Sequence, residues 1–386
     1  MAQHGIKEHS HGAGVPIQTR NERPRSTSIE DFAEVSKLQE IWRYLPIDKL
    51  KGLTQSVIGE LADSHVALNL ASGVTANWVD TTAAQVGKAG LPEDRIAAIA
   101  WTNASKTLVI DVPKDLEQSQ PSFVVIKPQS DQAMAFHVLI NVGTHAHATI
   151  VLDHAGLGVL GENVEIVLGD ESTLNFVTIQ DWDKGSTHVS TQFAKLGRNS
   201  NLRHTVVSLG GDLVRVTPAV ELSSPGAEVN MYGVYLADSG NYFEHRPYVD
   251  HVAENCKSNV AYKGALQGVG AHTVWVGDVL IRETAVGTDS YELNRNLLLT
   301  AGARADSVPN LEIETGKIEG AGHASASGRF DDEQLFYLQA RGLSETDAKK
   351  LVVRGFLSEI IQKIEIEEIV QRLIAAIELE LERVGV

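Results

Sequence analysis

The chain has 386 residues, of which 43% are apolar, so it is long enough to bury a sizeable core in two or three packing units. Its 50 acidic and 33 basic residues give a formal charge of -17, which disfavours binding to nucleic acid or to an anionic membrane. Because Cys256 is the only cysteine, the chain can form no intrachain disulfide and cannot complete an all-cysteine cluster site alone.

Residues 1–28 are rich in His, Gly, Arg and Ser and show no apolar period, which predicts a disordered leader. The segment lacks the apolar core of a secretory signal, and no apolar stretch near 18 residues follows, so we expect a soluble, cytoplasmic protein. His4, His9 and His11 have a spacing that matches no defined metal site, and a solvated tail is the simpler interpretation.

Residues 29–130 are predicted to form a mixed N-terminal region. Apolar residues such as Phe32, Leu38 and Trp42 recur at helical spacing between residues 28 and 53, which predicts a helix that Pro46 ends. The apolar runs 108–112 and 123–126, flanked by Gly, Pro and Asp, predict short strands.

Residues 131–328 predict the core architecture. A unit of a small, a polar and an apolar residue recurs from His147, Glu171, Asn199, Gly226 and Lys257, at offsets of 24, 28, 27 and 31 residues. Short strands such as 164–168 and 176–179 lie between these units. This pattern favours a β-solenoid, in which each unit is one coil, over a two-sheet β-sandwich with regularly spaced strands.

Residues 329–386 predict a helical C-terminal region. A short helix spans 331–341 and ends at Gly342, and Ser344 with Asp347 predicts the N-terminus of another. After Gly355 one long helix is predicted, with an apolar stripe that packs onto the chain's own body or into a partner's groove. The stripe consists of Leu357, Ile360, Ile361, Ile364, Ile369, Leu373, Ile377 and Leu381.

Common enzyme signatures are missing from the sequence. Residues 156–161, GLGVLG, match the dinucleotide-binding pattern in letters, but a further strand is predicted to follow them, so we interpret them as a solenoid turn. The chain contains no G-x-x-x-x-G-K-[ST], no H-E-x-x-H and no G-x-S-x-G motif. A remote alternative remains a polysaccharide-active β-helix enzyme using carboxylates such as Asp170, Glu171, Asp181 and Asp183.

A few residues have the chemistry of metal or cluster ligands. His145 and His147 are two apart, so on a strand they would share a face and meet a metal with His137 or His154, or form a solvated surface ladder. Cys256 is either a buried thiol or a cluster ligand, since thiolate and imidazole are ligands that iron accepts. His323 lies among Gly and Ala in residues 320–325, where it is either a hydrogen-bonded turn residue or open to close approach of a partner.

Several stretches together resemble the SufB/SufD family of the SUF iron-sulfur cluster assembly system over most of the chain from about residue 28. They are EIWRY at 40–44, WDKG at 182–185 with GR at 197–198, LRH at 202–204 and GG at 210–211. The most specific stretch runs from His323 through DDEQLFYL at 331–338 to Arg341 and Gly342, and continues with RGF at 354–356.

The resemblance implies a mainly β fold, with a right-handed parallel β-helix between helical ends, and a non-catalytic scaffold that supports cluster formation and iron acquisition. It implies a complex with SufB, met through the β-helix, and two copies of the SufC ATPase. His323, and less clearly Cys256, would offer a ligand to a nascent cluster shared with SufB. The SufC-binding candidates are Leu335, Phe336, Tyr337, Arg341, Arg354 and Phe356.

Within the family, the chain is more similar to SufD than to SufB. SufB flanks the equivalent histidine with glutamates and carries a cysteine near residues 294–299, whereas this chain has Gly322 and Ala324 and no cysteine there. Many SufD proteins have Cys-Ser-His where this chain has Ala321, Gly322 and His323. A SufB-like or self-assembling scaffold is the alternative, and the resemblance leaves open whether reduced flavin binds the complex and whether the chain forms a homodimer when alone.

Overall fold

The computed structural model describes Arg20, residues 23–329 and residues 332–383. His4, His9, His11 and most of the predicted leader lie outside the described residues. The N-terminal and first-coil elements are β1 (Gly59–Glu60), β2 (Val66–Asn69), β3 (Thr75–Asp80), α1 (Arg95–Asn103), β4 (Lys106–Val112) and β5 (Ser122–Ile126). The strands predicted at 108–112 and 123–126 are therefore confirmed.

The remaining strands follow one another almost without helices between them. They are β6 (Ala133–Val142), β7 (His147–Gly156), β8 (Val159–Leu168), β9 (Thr173–Trp182), β10 (Thr187–Leu196), β11 (Asn201–Ser208), β12 (Leu213–Leu222), β13 (Glu228–Ala237), β14 (Tyr242–His245), β15 (Tyr248–His251), β16 (Lys257–Leu266), β17 (His272–Ile281), β18 (Asp289–Leu298), β19 (Arg304–Ile313) and β20 (Gly320–Arg329). The C-terminal helices are α2 (Asp332–Ala340), α3 (Glu345–Ile361) and α4 (Glu367–Arg383).

The strands from β4 onward form two parallel sheets that enclose one core. Sheet A contains β4, β6, β8, β10, β12, β14, β15, β17 and β19, and sheet B contains β5, β7, β9, β11, β13, β16, β18 and β20. The chain alternates between the sheets and so completes about eight coils. This confirms the predicted mainly β, parallel solenoid, and the turn predicted at GLGVLG, where β7 ends and β8 begins.

One corner of the solenoid is built from a residue with left-handed backbone followed by a small, buried residue. His145, Glu171, Asn199, Gly226, Asn255 and Gly287 all have φ between 51° and 75°. Each donates its backbone N–H to a carbonyl of the next coil, over 2.7 to 3.2 Å. The small residues that follow are Ala146, Ser172, Ser200, Ala227, Cys256 and Thr288, each at most 1% exposed.

These corners correct the predicted repeat register at two coils. The units predicted to start at His147 and Lys257 start two residues earlier, at His145 and Asn255, because His147 pairs with Thr173 and Lys257 with Glu228. Side chains in a strand alternate between two faces, so a unit shifted by two residues keeps every side chain on the same face, and the residue pattern fits both registers. Only the left-handed corner residue distinguishes the two registers.

The N-terminal segment corrects a second prediction. No helix spans 28–53; the segment contains short 3-10 helices at Ile29–Asp31, Glu40–Trp42 and Ile47–Leu50. Trp42, Leu45, Leu50 and Leu53 are buried against residues of successive sheet A strands, including Val159, Val189, Leu213 and Val274. Leu38, at the centre of the predicted helical stripe, is 94% exposed, since the apolar residues follow the grooves of the sheet rather than one helix face.

The C-terminal stripe covers the outer face of sheet B. Its residues are buried together with Val151, Val177, Val207 and Val234, so the stripe packs onto the chain's own body.

The single long helix predicted after Gly355 is wrong: Gly355 lies inside α3, and the chain turns at Glu365, which has φ of 56°, before α4. The predicted cap is confirmed, because Ser344 Oγ accepts a hydrogen bond from the backbone N–H of Asp347. In the described part of the chain, no helix has the length and apolar character needed to cross a membrane.

Candidate functional site

The last coil of the solenoid has an open side. In sheet B, β20 pairs only with β18, and in sheet A, β19 pairs only with β17, so among the described strands neither has a neighbour on its outer edge. Most residues of β20 and many of β19 are exposed. Such an edge presents unpaired backbone N–H and C=O groups that another chain's strand can bind.

His323 lies on this open coil. It is the fourth residue of β20, is exposed, and pairs in register with Glu292 of β18. Residues paired in register on neighbouring parallel strands point to the same face, so the imidazole and the Glu292 carboxyl share the interior side of the open end. The alternative of a histidine confined in a turn is wrong, because His323 lies within a strand.

A cleft of about 470 Å³ adjoins His323. Its wall includes the charged residues Arg20, Asp278 and Glu312 and the ring of Tyr248. A cleft with both acidic and imidazole groups suits a hard or intermediate metal ion such as Fe²⁺.

Glu292 has an unusual environment beneath His323. It is 1% exposed, and neither carboxyl oxygen has a hydrogen-bond partner among the described residues. Burial, and to a smaller degree the charge of Asp278, raises the pKa of Glu292 to about 8, so its carboxyl is largely protonated at neutral pH. The side chain fits because Gly277 has no Cβ; one built there would lie 2.4 Å from a Glu292 oxygen.

Cys256, the second candidate ligand, occupies the small-residue position of its corner. Its side chain is fully buried, and its thiol donates to the carbonyl of Ser224 over 3.4 Å. Burial raises the pKa of the thiol, although the backbone N–H groups of Ala227 and Gly226 oppose this. Cys256 is therefore a buried, protonated thiol in this conformation.

The six candidates for partner binding in the helical region fall into two groups. On α2, Phe336 is 73% and Tyr337 57% exposed, and the Arg341 guanidinium lies 5.1 Å from the Tyr337 ring centre. Leu335 is half-buried on the same helix.

The other two candidates lie on α3. Phe356 is half-buried against the solenoid, where its ring lies 5.0 Å from Lys263 Nζ, whereas Arg354 is exposed and binds Glu378 of α4. Arg354 also lines a groove of about 230 Å³ between α3 and α4, together with the half-exposed Leu351.

The histidines predicted to share a metal do not meet. His145 lies in a left-handed corner, not a strand, and is within 3.3 Å of Asp115 and 3.5 Å of Glu171; His147 is exposed next to Glu117. His137 and His154 are fully buried inside the protein, 3.0 Å from Glu165 and 2.8 Å from Glu162. That proposed set is therefore wrong, since exposed and buried positions separate its members.

The carboxylates considered for glycan chemistry have structural contacts. Asp181 and Asp153 both bind the guanidinium of Arg372 on α4, over 2.8 and 2.6 Å. Asp170 accepts a hydrogen bond from the backbone N–H of Arg198. These groups hold helices and corners in place.

A row of polar side chains lies inside the solenoid and was not predicted from the sequence. Glu162, His188, Ser190 and Gln192 are at most 1% exposed, and they occupy alternate, inward-facing positions of β8 and β10. These polar residues stand at even-numbered positions, as the inward-facing Leu160 and Val164 do. The pattern can be recognised in the sequence only once the strand register is known.

Comparison with known proteins places these features in a family. Residues 124–356 match the family model described as SUF system FeS cluster assembly, SufBD core domain. An iron-sulfur cluster assembly SufBD family protein of Mycobacterium tuberculosis is 45% identical over 364 residues, covering 92% of each chain.

Mycobacterium leprae contains two further relatives with the same family name. One is 45% identical over 363 residues, covering 92% of this chain and 93% of that protein. The other is 28% identical over 204 residues, covering 53% of this chain and 23% of that protein. One organism therefore carries both a full-length match and a distant, partial one.

Proposed function

Because the chain belongs to the SufBD family of iron-sulfur cluster assembly proteins, we propose that it serves as a non-catalytic, SufD-type scaffold in a cytoplasmic complex with SufB and the ATPase SufC. The observation that carries this proposal is the open last coil. The outer edges of β19 and β20 have no neighbour among the described strands, and β20 carries the exposed His323, so a partner that adds strands there would bring its own ligands to this histidine.

The chemistry at the open coil suits a cluster shared between chains. His323 supplies one imidazole, and Glu292 supplies a carboxylate oxygen once a bound iron ion displaces its proton to solvent. One or two ligands from each chain suffice for a bridging cluster, so the chain's single cysteine is no obstacle. Cys256 would contribute only after its corner opens, since its thiol is fully buried.

A second surface supports an ATPase partner. Phe336 and Tyr337 project from α2, Arg341 directly follows its last residue, and the groove between α3 and α4 lies on the same helical region. Exposed aromatic residues beside an arginine are typical of binding hot spots. The sequence has no P-loop, so nucleotide hydrolysis is assigned to SufC.

Co-expression with SufB and SufC tests the assembly. We expect the three chains to co-purify and to elute as one species whose mass, measured by light scattering, accounts for all three. Phe336→Ala with Tyr337→Ala should release SufC while SufB stays bound. If the chain eluted only as a homo-oligomer in the presence of both partners, the self-assembling alternative would replace this proposal.

Substitution at the open coil tests the site. His323→Ala should lower the formation of cluster absorbance by the reconstituted complex, and its transfer to an apo-acceptor, by about tenfold or more. His147→Ala is the matched control, because His147 is also exposed but lies six coils away at the start of β7. Equal activity of the two variants would remove His323 from the mechanism.

A further inference from the structure

A second cluster of metal-binding side chains lies inside the solenoid. Nε2 of His154 is 2.8 Å from Oε1 of Glu162, and Nε2 of His188 is 3.3 Å from Oε2 of the same carboxylate. One ligand atom from each residue lies within 4.8 Å of the others, and all three side chains are 0% exposed. Two donors bound to one metal at about 2.1 Å lie roughly 3.0 to 3.4 Å apart, so small shifts would admit an ion.

The surroundings of His154 fix its orientation as a ligand. Nδ1 lies 3.0 Å from the carbonyl oxygen of Ile179, which can only accept, so Nδ1 carries the proton. The hydrogen bond between Nε2 and Oε1 of Glu162, over 2.8 Å, then needs one further proton, and a metal cation that displaces this proton would bind both atoms. A backbone carbonyl that holds the far ring nitrogen is the usual outer partner of a metal-bound histidine.

Glu162 is held in a similar way. Ser190 Oγ donates to Oε2 of Glu162 over 2.6 Å, and Gln192 donates to the same hydroxyl over 3.0 Å. The Trp182 ring covers the cluster, with its centre 5.5 Å from that of His154 and 5.3 Å from that of His188. The site thus has both an oriented carboxylate and an apolar wall.

His188 is the residue that the protein alone leaves unsatisfied. Within the described part of the chain Nδ1 has no hydrogen-bond partner, and the contact of Nε2 with Glu162 does not meet hydrogen-bond geometry, although the ring is fully buried. An unpaired polar group in a protein interior costs about 1 to 3 kcal/mol. A cation between Nε2 and the carboxylate would remove that cost at this nitrogen.

We propose that His154, Glu162 and His188 bind one divalent transition-metal ion, Zn²⁺ or Fe²⁺, inside the solenoid. Two imidazoles and one carboxylate are a donor set common to both metals. Because the site is closed, the ion enters as the chain folds and stays until the chain unfolds. The site is separate from the open coil at His323 and stands whether or not the scaffold role is correct.

Metal analysis of the whole chain tests this site. The protein is made without an affinity tag and with His4, His9 and His11 changed to Ala, and is then unfolded and refolded with Zn²⁺ or, without oxygen, with Fe²⁺. After dialysis against EDTA, we expect roughly one equivalent of metal per chain by mass spectrometry. Refolding with Co²⁺ should give visible d–d absorption bands.

Matched variants separate the site from non-specific binding. His188→Gln and Glu162→Gln should each retain less than a fifth of the metal, whereas His251→Gln, at another fully buried histidine of the solenoid, should retain all of it. Circular dichroism checks folding, and if Glu162→Gln does not fold, His188→Gln decides. A refolded parent chain without metal, or a His188→Gln variant that binds as much as the parent, would overturn the proposal and leave a hydrogen-bonded cluster only.

Discussion

Two tyrosines of neighbouring coils fill space that two glycines leave open. Tyr262 pairs in register with Gly233, and Tyr235 pairs with Gly264. A Cβ built on Gly264 would lie 1.8 Å from the Tyr235 ring, and one on Gly233 would lie 1.9 Å from the Tyr262 ring. The hydroxyl of Tyr235 donates a hydrogen bond to Oδ1 of Asn296 over 2.6 Å, so a displacement of the ring would also disturb this hydrogen bond.

Gly264→Ala should therefore lower the free energy of unfolding by about 2 to 3 kcal/mol, because the added methyl displaces Tyr235. Urea denaturation measures the change. Gly328→Ala is the control, since no atom of the described residues lies within 4 Å of a Cβ there, and it should leave stability unchanged or slightly higher. Equal effects of the two substitutions would show that the ring can move at no cost.

The pH dependence of stability should carry the signature of buried histidine. His251 is fully buried with Ser258 Oγ at 2.8 Å, and burial lowers its pKa to about 4. Between pH 6.5 and 4 the unfolded chain binds a proton that the native chain excludes, so stability falls with falling pH. Glu292, with its pKa raised to about 8, acts in the opposite direction, since the native chain holds the proton between about pH 8 and 4.5.

His251→Gln isolates one of these contributions. From pH 6 to 5, the slope of unfolding free energy against pH should be smaller in the variant than in the parent by about 1 kcal/mol per pH unit. Glu292→Gln should change the slope with the opposite sign. Chemical denaturation at several pH values measures both, and parallel curves for parent and His251→Gln would contradict the buried neutral state.

At the scale of the element, α4 is attached by one face only. Leu373 is fully buried against sheet B, whereas Leu379 on the same helix is 50% exposed. Leu373→Ala should cost about 2 to 4 kcal/mol through lost burial and a cavity, and Leu379→Ala less than about 0.5 kcal/mol. Thermal or urea unfolding measures both, and a small cost at Leu373 would mean that α4 is not docked as described.

Local signals in the sequence were sufficient for some elements and not for others. The Ser344 cap was predictable because a serine side chain and a backbone N–H three residues later decide it. The break between α3 and α4 was not, since it falls at Glu365 without a glycine or proline. The inward row containing Glu162 and His188 required the coil length, because residues 26 apart meet only when one full coil separates them.

The same distinction applies to the candidate site. The sequence identified His323 from its glycine- and alanine-rich neighbourhood and a family string. It could not show that Glu292 lies next to it in register, since 31 residues and a whole coil separate the two. Non-local pairing of this kind depends on the fold rather than on composition.

At the scale of the whole molecule, the open edges of β19 and β20 predict self-association when partners are absent. Unpaired, largely uncharged strand edges attract further strands. Ala326→Lys with Gly328→Lys, both on β20, should shift the protein towards monomer in sedimentation experiments across a dilution series. Val57→Lys, at an exposed position outside the sheets, is the control and should leave the distribution unchanged. Identical distributions for all three proteins would place any contact elsewhere.

The helices that cover sheet B also set an order of events during synthesis. The valines beneath them belong to β7, β9, β11 and β13, whereas α4 begins only at Glu367. At ribosomal rates of about 5 to 20 residues per second, the strands emerge on the order of ten seconds before their cover. For that interval the nascent chain carries a bare apolar sheet face, and its protection from aggregation has to come from outside the chain.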